Sequence, residues 1–248
     1  DIGSDGAGIG KVDGYAIFVK DTVPGDEVLV KITKAKKNYA FARLVKVVKE
    51  SPLRITPPCE SASACGGCQI QNVKYEAQLD FKENKVRNNL IRLGKFSEEQ
   101  VAAVMEPIVG MDEPYRYRNK AQFPFGVDQN GKTITGFYAG RTHAIIPTED
   151  CLIGIEENKD ILEIILTYMK KNGVKPYNEQ TREGLIRHVL IRKGFKTDQI
   201  MVCPVINGDK MPAVNQLVAN LGKIPGMTSI SYSINKENTN VIMGREVK

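Results

Sequence analysis

Three cysteines lie close together in the segment CESASACGGCQIQ, residues 59–71. Cys59, Cys65 and Cys68 follow the spacing Cys-x5-Cys-x2-Cys, and a fourth candidate, Cys151, comes much later in the chain. Thiolates are the ligands that zinc and iron–sulfur clusters prefer in proteins. The cluster of cysteines is therefore a candidate metal site, and its chemistry depends on what surrounds it.

The spacing alone leaves several kinds of cysteine site open. The odd total of five cysteines, without a secretory signal, favours reduced thiols over a disulfide framework. Zinc sites usually use two CxxC pairs, whereas only Cys65 and Cys68 form such a pair here. A thioredoxin-like redox pair would open a helix within a βαβ unit. Three thiolates on a loop containing Gly66 and Gly67, with one distant thiolate, suit a four-iron cluster, so iron–sulfur, zinc and redox interpretations all remain.

Two segments combine basic and aromatic residues in a way that indicates nucleic-acid binding. Cations neutralise phosphates and aromatic rings stack on bases. The alternative is a solvated loop with one aromatic side chain in the core. The first segment, KAKKNYAFAR, supplies Lys34, Lys36, Lys37, Tyr39 and Arg43. The second, EPYRYRNKAQFPFG, supplies Arg116, Arg118 and Lys120, which alternate with tyrosines and would share one face of a strand.

Composition sets only broad limits on the function. The chain has 248 residues, a net charge of +6 and 42% hydrophobic residues, which is ordinary for a globular protein. No apolar run approaches the ~20 residues of a membrane helix. The mild positive charge permits a polyanionic partner without requiring one. Because the chain begins at Asp1 and stops at Lys248 without an obvious closing element, we expect a fragment of a longer protein.

The hydrophobic pattern predicts two kinds of structure. Short strands separated by turns in the first 50 residues indicate a small barrel. GAGIG, residues 6–10, resembles a phosphate loop only weakly and is predicted to be a flexible turn. Helices are predicted over 72–96, 156–173 and 211–222, and strands are predicted over 185–195 and 199–206. The apolar side of the second helix contains Ile161, Ile165, Tyr168 and Met169. Cys203 lies within such a strand and is predicted to be a buried small side chain.

The motifs taken together resemble the S-adenosylmethionine-dependent RNA (uracil-5-)-methyltransferases. PPCESASACGGCQIQ with the helix after it resembles their cluster loop, and GFYAGRTHAIIPTEDC resembles the stretch that delivers the fourth ligand. Residues 6–48 resemble the TRAM domain, an oligonucleotide-binding-type barrel. YRYRNKAQFPFG and GLIRHVLIR match two further stretches of the family. The resemblance implies a 4Fe–4S cluster held by Cys59, Cys65, Cys68 and Cys151.

The same resemblance implies a domain organisation. We expect a TRAM barrel (1–50), a linker with the iron–sulfur loop (51–71), a helical segment (72–102) that packs on a methyltransferase domain, and a central α/β (α+β) domain (103–248). Members of the family place the S-adenosylmethionine site, the nucleophilic cysteine and the base in a further C-terminal domain. We therefore expect no catalytic or S-adenosylmethionine-binding residue among these 248 residues, and expect the chain alone to be inactive.

The substrate and partners follow from the same comparison. In this family the barrel and the cluster together favour 23S ribosomal RNA, converted to 5-methyluridine, over transfer RNA. Arg187 and His188 are possible RNA contacts, although His143 and His188 are more simply explained as strand residues. We expect a cytoplasmic monomer with no membrane partner. A non-catalytic RNA-binding module with an iron–sulfur or zinc site is the alternative.

Overall fold

The computed structural model describes residues 1–248, which form two compact units. The first unit comprises Asp1–Ser63 and Cys68–Asp112, and the second comprises Ala64–Gly67 and Glu113–Lys248. The short segment 64–67 therefore belongs to a different unit from the residues on either side of it. None of the helices combines the length and the apolar content that a membrane span requires.

The first unit contains a four-stranded sheet and two helices. Its hydrogen-bonded strands run in the order β1-β2-β4-β3, an open path rather than the closed barrel that the sequence predicts. The elements are β1 (Gly8–Val12), β2 (Tyr15–Val19), β3 (Glu27–Ala35), β4 (Tyr39–Lys49), α1 (Tyr75–Arg92) and α2 (Glu98–Val104).

Strand β1 was not predicted, because its glycines indicate a turn. Gly8 pairs with Val19 of β2, and a Cβ atom at Gly8 would lie 2.1 Å from Oγ1 of Thr22. The glycine is therefore needed for close approach to Thr22 and not for flexibility. GAGIG is the start of a sheet edge.

The predicted linker after β4 is anchored to the sheet by a buried ion pair. Arg54 binds the carboxylate of Asp26, whose side chain is only 1% exposed. Asp26 also accepts hydrogen bonds from the backbone N–H groups of Val23 (2.8 Å) and Ser51 (2.9 Å). Burial acts to raise the pKa of Asp26, but the hydrogen bonds from Arg54, Ser51 and Val23 outweigh it and hold the pKa below its usual value. The start of the linker is thus part of the folded unit.

Helix α1 confirms the predicted helix but buries none of its residues within this chain. Val86 is 53% exposed, and Leu93, just after the helix, is 77% exposed. Helix α2 was not separated from α1 in the sequence. It begins at a capping box in which Ser97 and Gln100 bond each other's backbone N–H groups.

The second unit is built on an eight-stranded mixed sheet with two helices. The main path runs β12-β11-β9-β8-β5-β6-β7, and β10 pairs with β9 beside it. The elements are β5 (Lys120–Val127), β6 (Thr133–Tyr138), β7 (Ile145–Pro147), α3 (Glu157–Lys171), β8 (Ile186–Lys193), β9 (Ile200–Ile206), α4 (Val214–Leu221), β10 (Met227–Ile230), β11 (Ser233–Ile234) and β12 (Glu246–Val247).

One apolar core holds this unit together. The predicted face of α3 is buried: Ile161 and Ile165 have no exposed surface and Met169 is 1% exposed. These side chains belong to the same cluster as Phe123 of β5 and Val189 of β8. Burying side chains of this size contributes ~1.5–3 kcal/mol each. This packing confirms the helix predicted over 156–173 and the strands predicted over 185–195 and 199–206.

Cys203 is 1% exposed in β9, as predicted for a small buried side chain. Burial raises the pKa of its thiol above the usual value.

The predicted alternating strand around Arg116 is wrong. Strand β5 begins only at Lys120, and Arg116 adopts a left-handed backbone conformation with φ 54°. A strand cannot pass through that conformation, so the arginines and tyrosines of 115–119 do not divide between two sheet faces. The backbone N–H groups of Arg116 and Arg118 instead bond the carbonyl oxygens of Leu152 (2.9 Å) and Ile153 (2.8 Å).

Candidate nucleic-acid face and cysteine site

Three aromatic rings form a contiguous group on one face of the first sheet. Tyr39 and Phe41 are two residues apart in β4, and Phe18 of β2 pairs with Phe41. The ring centroids lie 5.5 Å (Tyr39–Phe41), 5.7 Å (Phe18–Phe41) and 5.8 Å (Phe18–Tyr39) apart. Tyr39 is 37% exposed and Phe41 is 40% exposed. Contiguous exposed rings are unusual on a protein surface, so this group is a candidate binding surface.

Cationic side chains surround these rings because of the strand register. Lys34 of β3 is paired with Phe41, and Lys31 is paired with Arg43. Paired residues on neighbouring strands project from the same face, so Lys34, Lys31 and Arg43 share the side of the aromatic group. Lys36 and Lys37 are exposed in the adjoining turn. We call Phe18, Tyr39 and Phe41, with the cations Lys31, Lys34 and Arg43, the basic-aromatic face.

The turn beside this face is fixed by Tyr15. Its Oη atom lies 2.6 Å from the carbonyl oxygen of Lys36 and 2.7 Å from that of Tyr39. These hydrogen bonds hold the backbone of the turn that carries Lys36 and Lys37. Phe18 and Lys31 were absent from the sequence prediction, since only the strand register brings them to Tyr39 and Phe41.

Two of the candidate cysteines belong to each structural unit. Cys59 and Cys68 belong to the first unit, and Cys65 and Cys151 belong to the second. None of the four forms a disulfide, and all four have intermediate burial. In the first unit, the Nε2 amide of Gln71 donates a hydrogen bond to Sγ of Cys68 at 3.2 Å.

In the second unit, backbone pairing places Cys65 beside the end of β6. Cys65 forms an antiparallel β-bridge with Ala139, and the N–H of Gly66 donates a hydrogen bond to the carbonyl oxygen of Tyr138 at 3.0 Å. The N–H of Gly67 donates to Sγ of Cys65 at 3.4 Å. This glycine N–H is therefore aimed at sulfur, as a ligand thiolate requires.

Cys151 lies in a loop whose backbone also faces its thiol. Burial raises the pKa of Cys151, although hydrogen bonds from the N–H groups of Ile153 and Gly154 and the charge of Arg118 act in the opposite direction. Cys65 acts to raise the pKa of Cys151 further, because two thiolates near each other repel. The net effect is a pKa of the Cys151 thiol above its usual value.

Arg116 holds this loop through its guanidinium group. It makes a bidentate ion pair with Asp150, in which both N···O distances are 2.7 Å. The same group donates to the carbonyl oxygens of Cys151 (3.1 Å) and Gly154 (3.3 Å). The hydrogen bond with Asp150 raises the pKa of Arg116 and lowers that of Asp150. Arg116 is thus a support for the Cys151 loop rather than a free phosphate contact, which corrects the sequence prediction.

The four cysteines have the chemical type of ligand that an iron–sulfur cluster needs, but their side chains are not grouped as ligands of one metal site. N–H groups are directed at the sulfurs of Cys65, Cys68 and Cys151, the environment that stabilises ligand thiolates. The structure contains no group of three or more His, Cys, Asp or Glu side chains placed to hold a metal ion. The donor set is divided between the two units, with two thiols in each.

The remaining predicted RNA contacts divide into exposed and buried residues. Arg118 and Lys120 are exposed. Arg187 is 7% exposed, and its guanidinium donates to the carbonyl oxygens of Asn235 (2.9 Å) and Glu237 (2.8 Å). Its charge is therefore used inside the protein, which contradicts the predicted phosphate contact.

His188 is 9% exposed, and burial followed by the charge of Arg187 lowers its pKa to about 4. A neutral buried imidazole does not attract phosphate, so the predicted RNA contact of His188 is contradicted as well. Its alternative interpretation as a strand residue is confirmed, since it lies in β8. His143 lies in the turn between β6 and β7, not in a strand.

Comparison with known proteins places these features in context. Residues 1–45 match the TRAM domain family. Over its whole length the chain is 40% identical to an uncharacterized RNA methyltransferase of Halalkalibacterium halodurans, covering 53% of that protein. It is 41% identical, again over the whole chain and 53% of the relative, to one of Listeria monocytogenes. A third, from Clostridium tetani, is 40% identical over 99% of this chain and 52% of its own length.

A solved structure shares the fold. The crystal structure of Pyrococcus abyssi tRNA (uracil-54, C5)-methyltransferase in complex with S-adenosyl-L-homocysteine superimposes with a TM-score of 0.72. The match covers all of this chain and 53% of that one, at 21% sequence identity. The chain spans about half the length of the curated relatives it matches. The likeness to the archaeal enzyme is one of fold.

Proposed function

We propose that this chain is the RNA-binding part of an S-adenosylmethionine-dependent RNA (uracil-C5)-methyltransferase acting on 23S ribosomal RNA. The whole-length similarity to RNA methyltransferases and the fold shared with a tRNA (uracil-54, C5)-methyltransferase support this proposal. The S-adenosylmethionine site and the catalytic groups would lie in the part of the longer protein that has no counterpart here. The bound S-adenosyl-L-homocysteine of the archaeal enzyme supports S-adenosylmethionine as the methyl donor.

The observation that carries the proposal is the basic-aromatic face. Three neighbouring rings, two of them more than a third exposed, lie beside cations on one sheet surface. Base stacking on an aromatic ring is worth ~1–3 kcal/mol per base. Each phosphate neutralised by a lysine or arginine adds a salt-dependent contribution.

RNA binding can be tested by fluorescence anisotropy with a labelled single-stranded RNA. Phe41→Ala should weaken binding about 5- to 150-fold, from the loss of one stacked base. Phe195→Ala is the matched control, because Phe195 is 50% exposed in a turn of the second unit. Equal effects of both substitutions would contradict the assignment of the face.

The cations are tested by the salt dependence of the same binding. Lys34→Ala should lower the slope of log K against log salt by ~1, as expected for one lost phosphate contact. Lys223→Ala removes an exposed lysine of the second unit and should leave the slope unchanged.

The cysteines are proposed to hold a 4Fe–4S cluster through Cys59, Cys65, Cys68 and Cys151. When bound, the cluster would act as a structural crosslink, since methyl transfer to uracil needs no electron transfer. Anaerobically purified protein should contain about four irons and four sulfides per chain, with a brown colour. Colourless protein with one zinc would support the alternative zinc site.

Catalysis is tested on the full-length protein. Incubation with S-adenosylmethionine and 23S ribosomal RNA should produce 5-methyluridine, detected by mass spectrometry of the digested RNA. The non-catalytic alternative predicts RNA binding by the full-length protein without methylation. Methylation of transfer RNA alone would retain the enzyme class and reject the proposed substrate.

A further inference from the structure

The second unit contains a wide groove that the proposed function does not use. Its volume is about 1690 Å³, and it runs between the β6–β7 hairpin, α3 and the segment before β8. Sites for small molecules usually occupy ~300–1,000 Å³. The groove is therefore large enough for a segment of a polymer.

Both histidines of the chain line this groove, and both contact the same tyrosine. The ring of His143 stacks on that of Tyr138, with centroids 5.0 Å apart and an interplanar angle of 20°. His188 is edge-on to the same ring, and its Nε2 atom lies 3.4 Å from the Tyr138 Oη atom. Burial raises the pKa of Tyr138 to about 12, so its hydroxyl stays protonated. The tyrosine is a fixed support for the His143 ring.

His143 is also held at its edge by a carboxylate. Its Nδ1 atom lies 2.6 Å from Oε2 of Glu179. Although its side chain is 61% exposed, the ring is thus restrained by stacking on one face and by this hydrogen bond. An exposed imidazole normally rotates freely, and restraining it lowers the entropy lost when a ligand binds. The second ring face and Nε2 remain available.

The charge of the groove indicates what kind of ligand it favours. Four acidic side chains, including Glu179, line it together with four cationic ones, including Arg187. Such a balanced lining does not attract a long track of phosphates. Recognition of RNA in this groove would therefore depend on base contacts more than on phosphate contacts, and the exposed imidazole of His143 is a flat surface on which a nucleobase can stack.

We propose that this groove binds a single-stranded RNA nucleotide whose base stacks on the open face of His143. The inference rests on the proposed function in assuming that RNA is the ligand. Nε2 of His143 can hydrogen-bond to the base or its ribose, and Glu179 and Tyr138 are positioning residues. The site lies in the second unit, so it is distinct from the basic-aromatic face of the first.

Nuclear magnetic resonance of the 248-residue chain labelled with ¹³C-histidine tests the site directly. The two histidines give two sets of imidazole signals, and His143→Phe assigns them by removing one. Titration with a 12-nucleotide single-stranded RNA should shift the His143 signals in a saturable way. UMP and AMP, up to about 20 mM, probe the same site without the avidity of a longer strand.

Substitutions then separate stacking from structure. His143→Ala should weaken binding of the 12-nucleotide RNA about fivefold or more, the lower end of the stacking range, because imidazole is a small ring. His143→Phe keeps a ring and should restore most of that loss. Unchanged circular dichroism would show that both variants fold.

The outcomes distinguish this inference from the proposed function. RNA binding that depends on Phe41, with unshifted His143 signals and no effect of His143→Ala, would overturn the groove site and leave the basic-aromatic face standing. Shifts with UMP or AMP in a Phe41→Ala variant would support the groove independently. Absence of shifts with RNA and with both mononucleotides would overturn it whether or not the other face binds RNA.

Discussion

Replacing Arg116 with alanine should loosen the loop that carries Cys151. The substitution removes a bidentate ion pair with Asp150 and two hydrogen bonds to the carbonyl oxygens of Cys151 and Gly154. The side chains of Arg116 and Asp150 are 30% and 37% exposed, so solvent screening limits the ion pair to ~0.5–1 kcal/mol. The carbonyl hydrogen bonds add ~0.5–1 kcal/mol each. We expect a loss of ~2 kcal/mol in the free energy of unfolding.

Urea unfolding measures this loss, and alkylation of thiols followed by mass spectrometry locates it. Arg116→Ala should speed alkylation of Cys151 without affecting Cys203, which is buried in the sheet. Arg116→Lys keeps the positive charge but loses the planar guanidinium. Its free energy of unfolding and its rate of Cys151 alkylation should therefore lie between those of wild type and Arg116→Ala. Arg245→Ala, an exposed arginine elsewhere in the unit, is the control.

The pH dependence provides a second check on the same pair. The pKa of Asp150 is lowered in the folded state by Arg116, so the pair stabilises the fold above the unfolded pKa of the carboxyl. This contribution is lost as the pH falls through the lowered pKa. The difference between wild type and Arg116→Ala should therefore be largest at neutral pH and should shrink in acid by the ~0.5–1 kcal/mol of the ion pair, while the contribution of the two carbonyl hydrogen bonds remains. A difference that persists undiminished at the lowest pH, or no change in Cys151 alkylation, would refute the reasoning.

Two further predictions concern single positions. Gly66→Ala should weaken the pairing of the cysteine segment with the end of β6, because the new Cβ atom would lie 2.9 Å from the carbonyl oxygen of Tyr138. Gly67→Ala should leave this pairing almost unchanged, because the nearest contact of its Cβ atom is at 3.4 Å. Hydrogen exchange of the amide of residue 66 measures the difference, and equal protection in both variants would contradict it. Asp26→Asn should destabilise the first unit by ~3 kcal/mol, because Arg54 loses its buried partner. The lowered pKa of Asp26 means that thermal melts of wild type and variant should converge only in acid.

Local pattern was sufficient for the elements that bury a regular face. The predicted apolar positions of α3 are the ones that lie in the core, since a helix repeats its buried face every three or four residues. The same reasoning located β8 and β9. It was insufficient for β1, where the glycines reflect close approach to Thr22 and the sequence alone indicates a turn.

The candidate sites depend on contacts that no local pattern encodes. The basic and aromatic residues around Tyr39 could be recognised because they are adjacent in sequence, whereas Phe18 joins them only through strand pairing. Arg116 and Asp150 are 34 residues apart, and His143 and Glu179 are 36 apart. Arginine in a basic-aromatic segment has the same appearance whether it binds phosphate or supports a loop. The contacts of the Arg116 guanidinium with Asp150 and with the carbonyl oxygens of Cys151 and Gly154 decide between them.

The end of β6 connects the two features of the second unit that carry chemistry. The backbone of Tyr138 accepts the hydrogen bond from Gly66 in the cysteine segment, and the ring of the same residue supports His143. Ala139, the next residue, forms a backbone β-bridge with Cys65. A displacement of the cysteine segment must therefore act on the strand end from which the Tyr138 ring projects. It follows that the His143 signals of Gly66→Ala should differ from those of wild type even without RNA, while those of Gly67→Ala should coincide with wild type.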